Sequence, residues 1–224
     1  MNFFISAPQE ISDGIDIDPD YPHLEVVTPH IFSINDSPVT ATEILEATKQ
    51  LESKKSEDLY GTSMFFIKRF ITSLITPLHH IICRSFESGK FPSELKVARV
   101  VPIHKGGDKH IPDNYRPISL LPNFSKIIEK IMSNRLTYFL ESNNLLCQQQ
   151  FGFRQNHSTL AEAKHKSQFT ITIFCDLHRA FDTINHEILL KKLYNIGVRG
   201  VELEWFKDYL SNRKKFVTVN GKNY

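Results

Sequence analysis

Apolar residues recur along this chain with two periods, and the flanking residues show where each period starts and stops. Thr40-Ala41-Thr42-Glu43 has the form of a capping box, in which the Thr40 hydroxyl accepts the Glu43 amide N–H and the Glu43 carboxylate reaches back. Ile44, Leu45 and Leu51 follow at helical spacing, so a short helix is expected there. A second helix is expected over about Thr62 to Ser88, closed by Gly89 in the left-handed conformation and kinked or split by Pro77. A third, amphipathic helix is expected over Ser125 to Glu141, with Ile128, Ile131, Met132, Phe139 and Leu140 on its core side. Two more are expected over Ile184 to Asn195, closed by Gly197, and over Glu202 to Leu210.

The extended segments are Lys96 to His104 and Tyr115 to Leu121, which can pair as a hairpin around a long basic loop opened by Gly106-Gly107-Asp108. Pro117 would place the second of them at a sheet edge or give it irregular pairing. Phe169 to Leu177 alternates, with Phe169, Ile171, Ile173, Cys175 and Leu177 on one face, and Asp176 near the strand end on the more polar face. Phe216 to Val219 is a strand that runs into Asn220-Gly221, a pair suited to the positive φ values of a type I′ turn. The chain stops at Tyr224, so the returning strand is expected to be missing and the sequence reads as incomplete. Helices and strands interleaved in this way predict an α/β (α+β) fold.

Charge adds to this picture. Residues 1–60 carry 3 Lys against 12 Asp and Glu, and residues 61–224 carry 24 Lys and Arg against 13 acids, a net −9 against +11. A basic body suits a polyanionic partner, because phosphate neutralisation supplies most non-specific nucleic-acid affinity. Residues 1–36 hold four of the eleven prolines and many acids without a period, and read as a disordered acidic linker. Cys83, Cys147 and Cys175 have no paired spacing, which argues against a zinc cluster or a disulfide framework and for buried thiols in a reducing compartment. No signal peptide opens the chain, and the apolar run from Met64 to Phe86 is broken by Lys68, Arg69, His79, His80 and Arg84. An intracellular protein of nucleus or cytoplasm is therefore expected, neither secreted nor in a membrane.

Five segments in order carry a resemblance. They are GKFPSELKVARVVPIHKGGD (Gly89 to Asp108), NYRPISLLPNFSKIIEK (Asn114 to Lys130), QFGFRQNHST (Gln150 to Thr159), FCDLHRAFDTINHEILLKKL (Phe174 to Leu193) and WFKDYLSNRKKFVTVNG (Trp205 to Gly221). In this combination the chain resembles the reverse transcriptase domain of non-LTR (LINE-type) retrotransposons, from about Val39 onward. The resemblance implies part of a right-hand polymerase fold, with 37–168 as a fingers-like part and 169–224 as the start of the palm. It implies RNA-directed DNA polymerase (nucleotidyltransferase) ancestry, with an RNA template, a DNA primer, deoxynucleotide triphosphates and Mg2+ as partners.

Residue by residue, the resemblance makes Asp176 the first metal-binding catalytic carboxylate of the palm, a hard oxygen ligand of the kind two-metal chemistry needs. By itself Asp176 reads as a cap or turn residue. Phe181 falls where an aromatic steric gate under the sugar is implied, and reads equally well as core; the adjacent Asp182 is better explained as an N-cap. Lys105 and Arg116 match fingers residues that grip the incoming triphosphate, although each alone would pass for a surface cation. Gln150 to Arg154 matches the segment lying along template and primer, with Gly152 permitting close backbone approach and Arg154 available for phosphate. Phe151 and Phe153 could instead only pack.

The chain also departs from that pattern. The family's later aspartate pair would lie beyond Tyr224, and only Lys164 to Gln168 lie between Ala163 and Phe169, where the family has roughly a further helix. The 224 residues are therefore expected to be inactive by themselves, with a non-catalytic nucleic-acid-binding module or a decayed relic as the alternative readings.

Overall fold

In the computed structural model, which describes Ile34, residues 37–154, Ile173, Cys175, residues 184–219 and 222–223, the first helix is α1 (Ala41–Gln50). Thr40 caps it, its hydroxyl accepting the Glu43 N–H at 3.1 Å. The other half of the expected capping box does not form. Arg135 donates to both oxygens of the Glu43 carboxylate at 2.7 Å, and such a bidentate charge-assisted pair outcompetes a bond to a backbone amide.

The next apolar run forms two helices, α2 (Met64–Arg69) and α3 (Ile71–Ser88), divided at Phe70 rather than at Pro77. Pro77 lies exposed inside α3, and the residues after it, Leu78, Ile82 and Phe86, are buried, so packing on the far side carries the helix past the lost hydrogen bond. Gly89 ends α3 with φ +65, as read from the sequence. A Cβ there would also lie 3.0 Å from the Val201 carbonyl oxygen, so both conformation and space call for glycine.

Strands β1 (Val97–His104) and β2 (Tyr115–Leu120) pair antiparallel. A later strand, β3 (Lys214–Val219), lies parallel to β1, with Arg99 opposite Phe216 and Val100 opposite Val217. With a short strand β4 (Lys222–Asn223) the sheet order is β2-β1-β3-β4, which leaves β2 at an edge, where the missing N–H of Pro117 costs no ladder bond. The expected absence of a returning strand is corrected: β4 (Lys222–Asn223) pairs antiparallel with β3, although Asn220 and Gly221 themselves lie outside the described residues. Helices α4 (Asn123–Ser142), α5 (His186–Asn195) and α6 (Gly200–Leu210) complete a mixed α/β architecture. Asn185 caps α5 by accepting the Ile188 N–H at 3.0 Å, the role expected of Asp182, which lies outside the described residues.

The main core gathers Ile44, Ile67, Ile82, Ile127, Ile131 and Trp205 from five helices, while Ala98, Val100 and Val217 are buried on one face of the sheet. Ile34 belongs to this core and is the one residue of 1–36 that the structure describes. The expectation of three buried thiols is corrected: Cys83 is half-buried, and Cys147 and Cys175 are exposed. Of the expected strand Phe169–Leu177, only Ile173 and Cys175 fall within the described residues, and neither is in a strand. Among the described residues no helix is long and apolar enough to cross a membrane.

Two carboxylates hold distant segments together. Asp58, only 7% exposed, accepts the N–H groups of Tyr60 and Thr62 with one oxygen, and the Thr62 hydroxyl and the Asn123 N–H with the other. It thereby caps α4 from 65 residues away, in place of its N-cap Pro122, which offers no side-chain acceptor. Asp208 likewise accepts from Lys96 and from the Phe91 N–H. Burial works against ionisation of both groups, but these hydrogen bonds outweigh it and hold both below the ordinary aspartate value of 3.8. A lowered folded-state value means that each contributes stability above pH 3.8 that is lost as pH falls through the folded value. Thermal melts between pH 7 and 3 are therefore expected to show a falling Tm below about pH 4, with a shallower acid limb in Asp58→Asn and Asp208→Asn.

Candidate nucleotide and nucleic-acid interface

The β1–β2 hairpin positions two of the residues singled out in the sequence. Its register sets Ile103 opposite Arg116 and His104 opposite Tyr115. The Lys105 N–H donates to the Asn114 carbonyl at 2.8 Å, which carries the ladder one step past the end of β1. Side chains alternate along a strand, so Arg99, Val101, Ile103 and Lys105 share one face, and Arg116 joins them as the direct partner of Ile103. Lys105 and Arg116 are then diagonal cross-strand neighbours, about 7–8 Å apart at Cα. The opposite face carries the buried Ala98 and Val100, so this is the solvent face. Both cations are exposed, and neither side chain has an ion pair among the described residues. Ile103 and Ile118, also exposed, give the same surface an apolar component.

The connection between the strands is built rather than loose. Gly106 and Gly107 take φ values of +122 and +84. The Asn114 side-chain amide donates to the Asp108 carbonyl at 2.8 Å, and a Cβ on Gly107 would lie 2.7 Å from that amide nitrogen. The Asp108 carboxylate accepts the His110 N–H at 2.8 Å, and the Tyr115 hydroxyl donates to the Lys109 carbonyl at 3.0 Å. These bonds hold Lys105, Lys109 and His110 on an exposed, preformed loop. The sequence reading found the glycine turn but missed Asn114. The signal was available, since an asparagine at the far end of a glycine turn is a residue type that bonds nearby backbone.

Gln150, Gly152 and Arg154 lie together after α4. Gln150 and Gly152 are exposed, and a Cβ on Gly152 would meet nothing within 4 Å, so the backbone there is open to close approach. Arg154 is corrected. Rather than standing available for phosphate, its guanidinium makes a bidentate pair with Glu141, Nε at 2.9 Å and Nη2 at 2.6 Å, and its Nη1 donates to the carbonyls of Cys147 and Gln150 at 3.2 and 3.4 Å. The fork is used up in fastening this segment to the end of α4.

Asp176 and Phe181, and the short Lys164–Gln168 link, lie outside the described residues. Among the described residues there is no group of three His, Cys, Asp or Glu that could hold a metal ion. They present an exposed cationic hairpin face and a fastened turn with an open backbone.

Comparison with known proteins matches residues 103–224 to the family described as reverse transcriptase (RNA-dependent DNA polymerase). The chain is 34% identical over 208 residues to a probable RNA-directed DNA polymerase from transposon BS of Drosophila melanogaster, covering 87% of this chain and 22% of that protein. It is 30% identical over 207 residues to the RNA-directed DNA polymerase from mobile element jockey of Drosophila funebris, with the same coverages of 87% and 22%. It is 31% identical over 185 residues to a putative 115 kDa protein in type-1 retrotransposable element R1DM of Drosophila melanogaster, covering 78% of this chain and 18% of that protein. The chain thus spans about a fifth of the length of the curated relatives it matches.

Proposed function

The chain belongs to the reverse transcriptase (RNA-dependent DNA polymerase) family, in its non-LTR retrotransposon branch, and from that premise we propose that it contributes the nucleotide-gripping part of an RNA-directed DNA polymerase. In this reading residues 37–168 are the fingers-like part of a right-hand polymerase, and 169–224 begin the palm. Lys105 and Arg116 hold the triphosphate of an incoming deoxynucleotide, and Gln150 and Gly152 lie along an RNA template paired with a DNA primer. Asp176 is the carboxylate that would hold a divalent cation, magnesium by the chemistry of a hard oxygen ligand, and Phe181 sits under the sugar. The bound cation would neutralise charge on the phosphates.

One observation carries the proposal: the hairpin register puts an exposed lysine and an exposed arginine on one face, over a loop fixed by its own hydrogen bonds. A guanidinium makes paired bonds to phosphate oxygens and an ammonium adds a compact charge beside it, so the pair suits a triphosphate better than either suits a carboxylate alone. Preorganisation matters because the loop pays little ordering cost when the ligand arrives. The Lys105→Ala, Arg116→Ala double variant is expected to lose at least tenfold in affinity for a fluorescent deoxynucleotide triphosphate, at about 1.5–3 kcal/mol per charged hydrogen bond. Binding of single-stranded RNA is expected to fall much less, because charge is spread over the basic body. Equal losses for both ligands would make these general phosphate contacts and overturn the assignment.

A further inference from the structure

Resting on the reading that this chain binds an RNA template, we infer that a groove at the start of β1 and β3 is a second seat for that strand, gripping unpaired nucleotides away from the triphosphate-binding hairpin. The groove has a volume of about 1000 Å3 and is lined by the end of α3, the turn that follows it, and residues of α6, β1 and β3. Val97 and Lys214, opposite each other in the parallel pair, both line it. The eight residues of β1 put Lys105 roughly 26 Å beyond Val97 at the rise of a strand, so the groove and the hairpin tip are separate contacts.

The groove is cationic. Four of its lining side chains are Lys or Arg and two are Asp or Glu. One of these cations is already matched, since buried Lys96 is paired with Asp208 at 2.7 Å. The excess lies with Arg84, Lys90 and Lys214, all exposed, against Glu94, whose carboxylate accepts the Ser93 hydroxyl at 2.9 Å. Among the described residues neither Lys90 nor Lys214 has an ion pair, and Lys90 acts on the Asp208 carboxylate only through its field. Arg84 meets Glu87 at 3.9 Å with side chains 72% and 67% exposed, a pair that contributes little and leaves the guanidinium able to turn to a phosphate.

Tyr60 selects the class of polyanion. It lines the same groove with half of its surface open. Its hydroxyl donates to the Glu94 carbonyl at 2.6 Å, and its backbone N–H donates to the Asp58 carboxylate at 2.9 Å. The ring is thus fixed at both ends before any ligand arrives, which keeps the ordering cost of stacking low. An acidic peptide would meet the cations and gain nothing specific from the ring, and a duplex holds its bases stacked within itself. An unpaired nucleotide uses both features, its phosphate on the cations and its base on the ring, as in grooves that track single strands.

The test uses the whole 224-residue chain and fluorescence anisotropy with a single-stranded RNA and the same strand made abasic. The triple variant Arg84→Gln, Lys90→Gln, Lys214→Gln keeps the side-chain stems and is expected to flatten the slope of log affinity against log salt by about 2, at about 0.7 for each phosphate contact on a single strand. Its affinity for a fluorescent deoxynucleotide triphosphate should stay at the wild-type value. Tyr60→Leu is expected to lose roughly tenfold for the base-containing strand and nothing for the abasic one, with the salt slope unchanged, while Tyr60→Phe keeps most of the affinity. All four residues are exposed, so melting temperatures should match the wild type. An unchanged slope in the triple variant, or a parallel loss of triphosphate binding, overturns the groove as a separate seat and leaves the nucleic-acid reading standing. Equal losses for the two strands in Tyr60→Leu would make it a seat for any polyanion, an acidic protein segment included, and overturn the assignment to unpaired RNA. If the wild-type chain binds neither strand at low salt, the template reading itself fails, and the inference with it.

Discussion

Trp205→Ala is expected to lower folding stability by about 3–5 kcal/mol, the range for emptying a buried indole site, and Tm by about 10 °C. Trp205 is 1% exposed, and its indole N–H donates to the Ser85 hydroxyl at 3.0 Å. Tyr209 stacks on it at 5.3 Å with the planes 2° apart, and Phe86, Phe91 and Phe206 meet it edge-on at 5.4–5.5 Å. Truncation would therefore remove the packing of four rings at once and leave a cavity among groups that cannot all collapse inward. The Ser85 hydroxyl also donates to the Lys90 carbonyl at 2.6 Å, so the loss should spread to the turn after α3. Trp205→Phe should recover part of the stability by refilling the ring volume without the N–H. Chemical denaturation of the three proteins checks the order; a loss under 1 kcal/mol for the alanine variant would show that the cluster does not hold α3 and α6 together.

Asp208→Ala is expected to cost about 3 kcal/mol, because it leaves the Lys96 ammonium buried with a single carbonyl for company. Lys96 is 6% exposed and donates to the Asp208 carboxylate at 2.7 Å and to the Asp208 carbonyl at 2.6 Å. The same carboxylate oxygen accepts the Phe91 N–H at 2.8 Å, so one group ties the start of the sheet to the end of α6. Breaking a buried pair from one side costs more than replacing both charges, since the partner left behind keeps its full desolvation penalty. The double variant Lys96→Met, Asp208→Leu should accordingly be more stable than Asp208→Ala alone. A double-mutant cycle from thermal melts measures the coupling, and additive effects would mean that the pair is not an energetic unit.

Much of the secondary structure was legible because its determinants are local. Thr40 as a cap, Gly89 with positive φ, and Pro117 confined to an edge strand follow from constraints that act within a few residues. The motif residues Lys105 and Arg116 could be named from the sequence. That they share a solvent face depended on a hairpin register which the loop bonds of Asn114 and Asp108 help to set. Pro77 misled for the converse reason, since buried side chains beyond it hold α3 together where local chemistry alone would break it.

The sequence by itself determined the family, the cap of α1 at Thr40, the end of α3 at Gly89 and the charge of the body, all of which are set by residue type, spacing and summed charge. Only the tertiary structure decided which partner each long polar side chain takes. Glu43 is paired with Arg135 at a separation of 92 residues, Lys96 with Asp208 at 112, and Asp58 with the Asn123 N–H at 65. Arg154, separated from Glu141 by only 13 residues, was still read as free. A charged side chain in an unfolded chain is satisfied by water. It acquires a particular partner only when folding removes that water and brings one of several acceptors within 3 Å, a choice made by packing that local spacing does not encode.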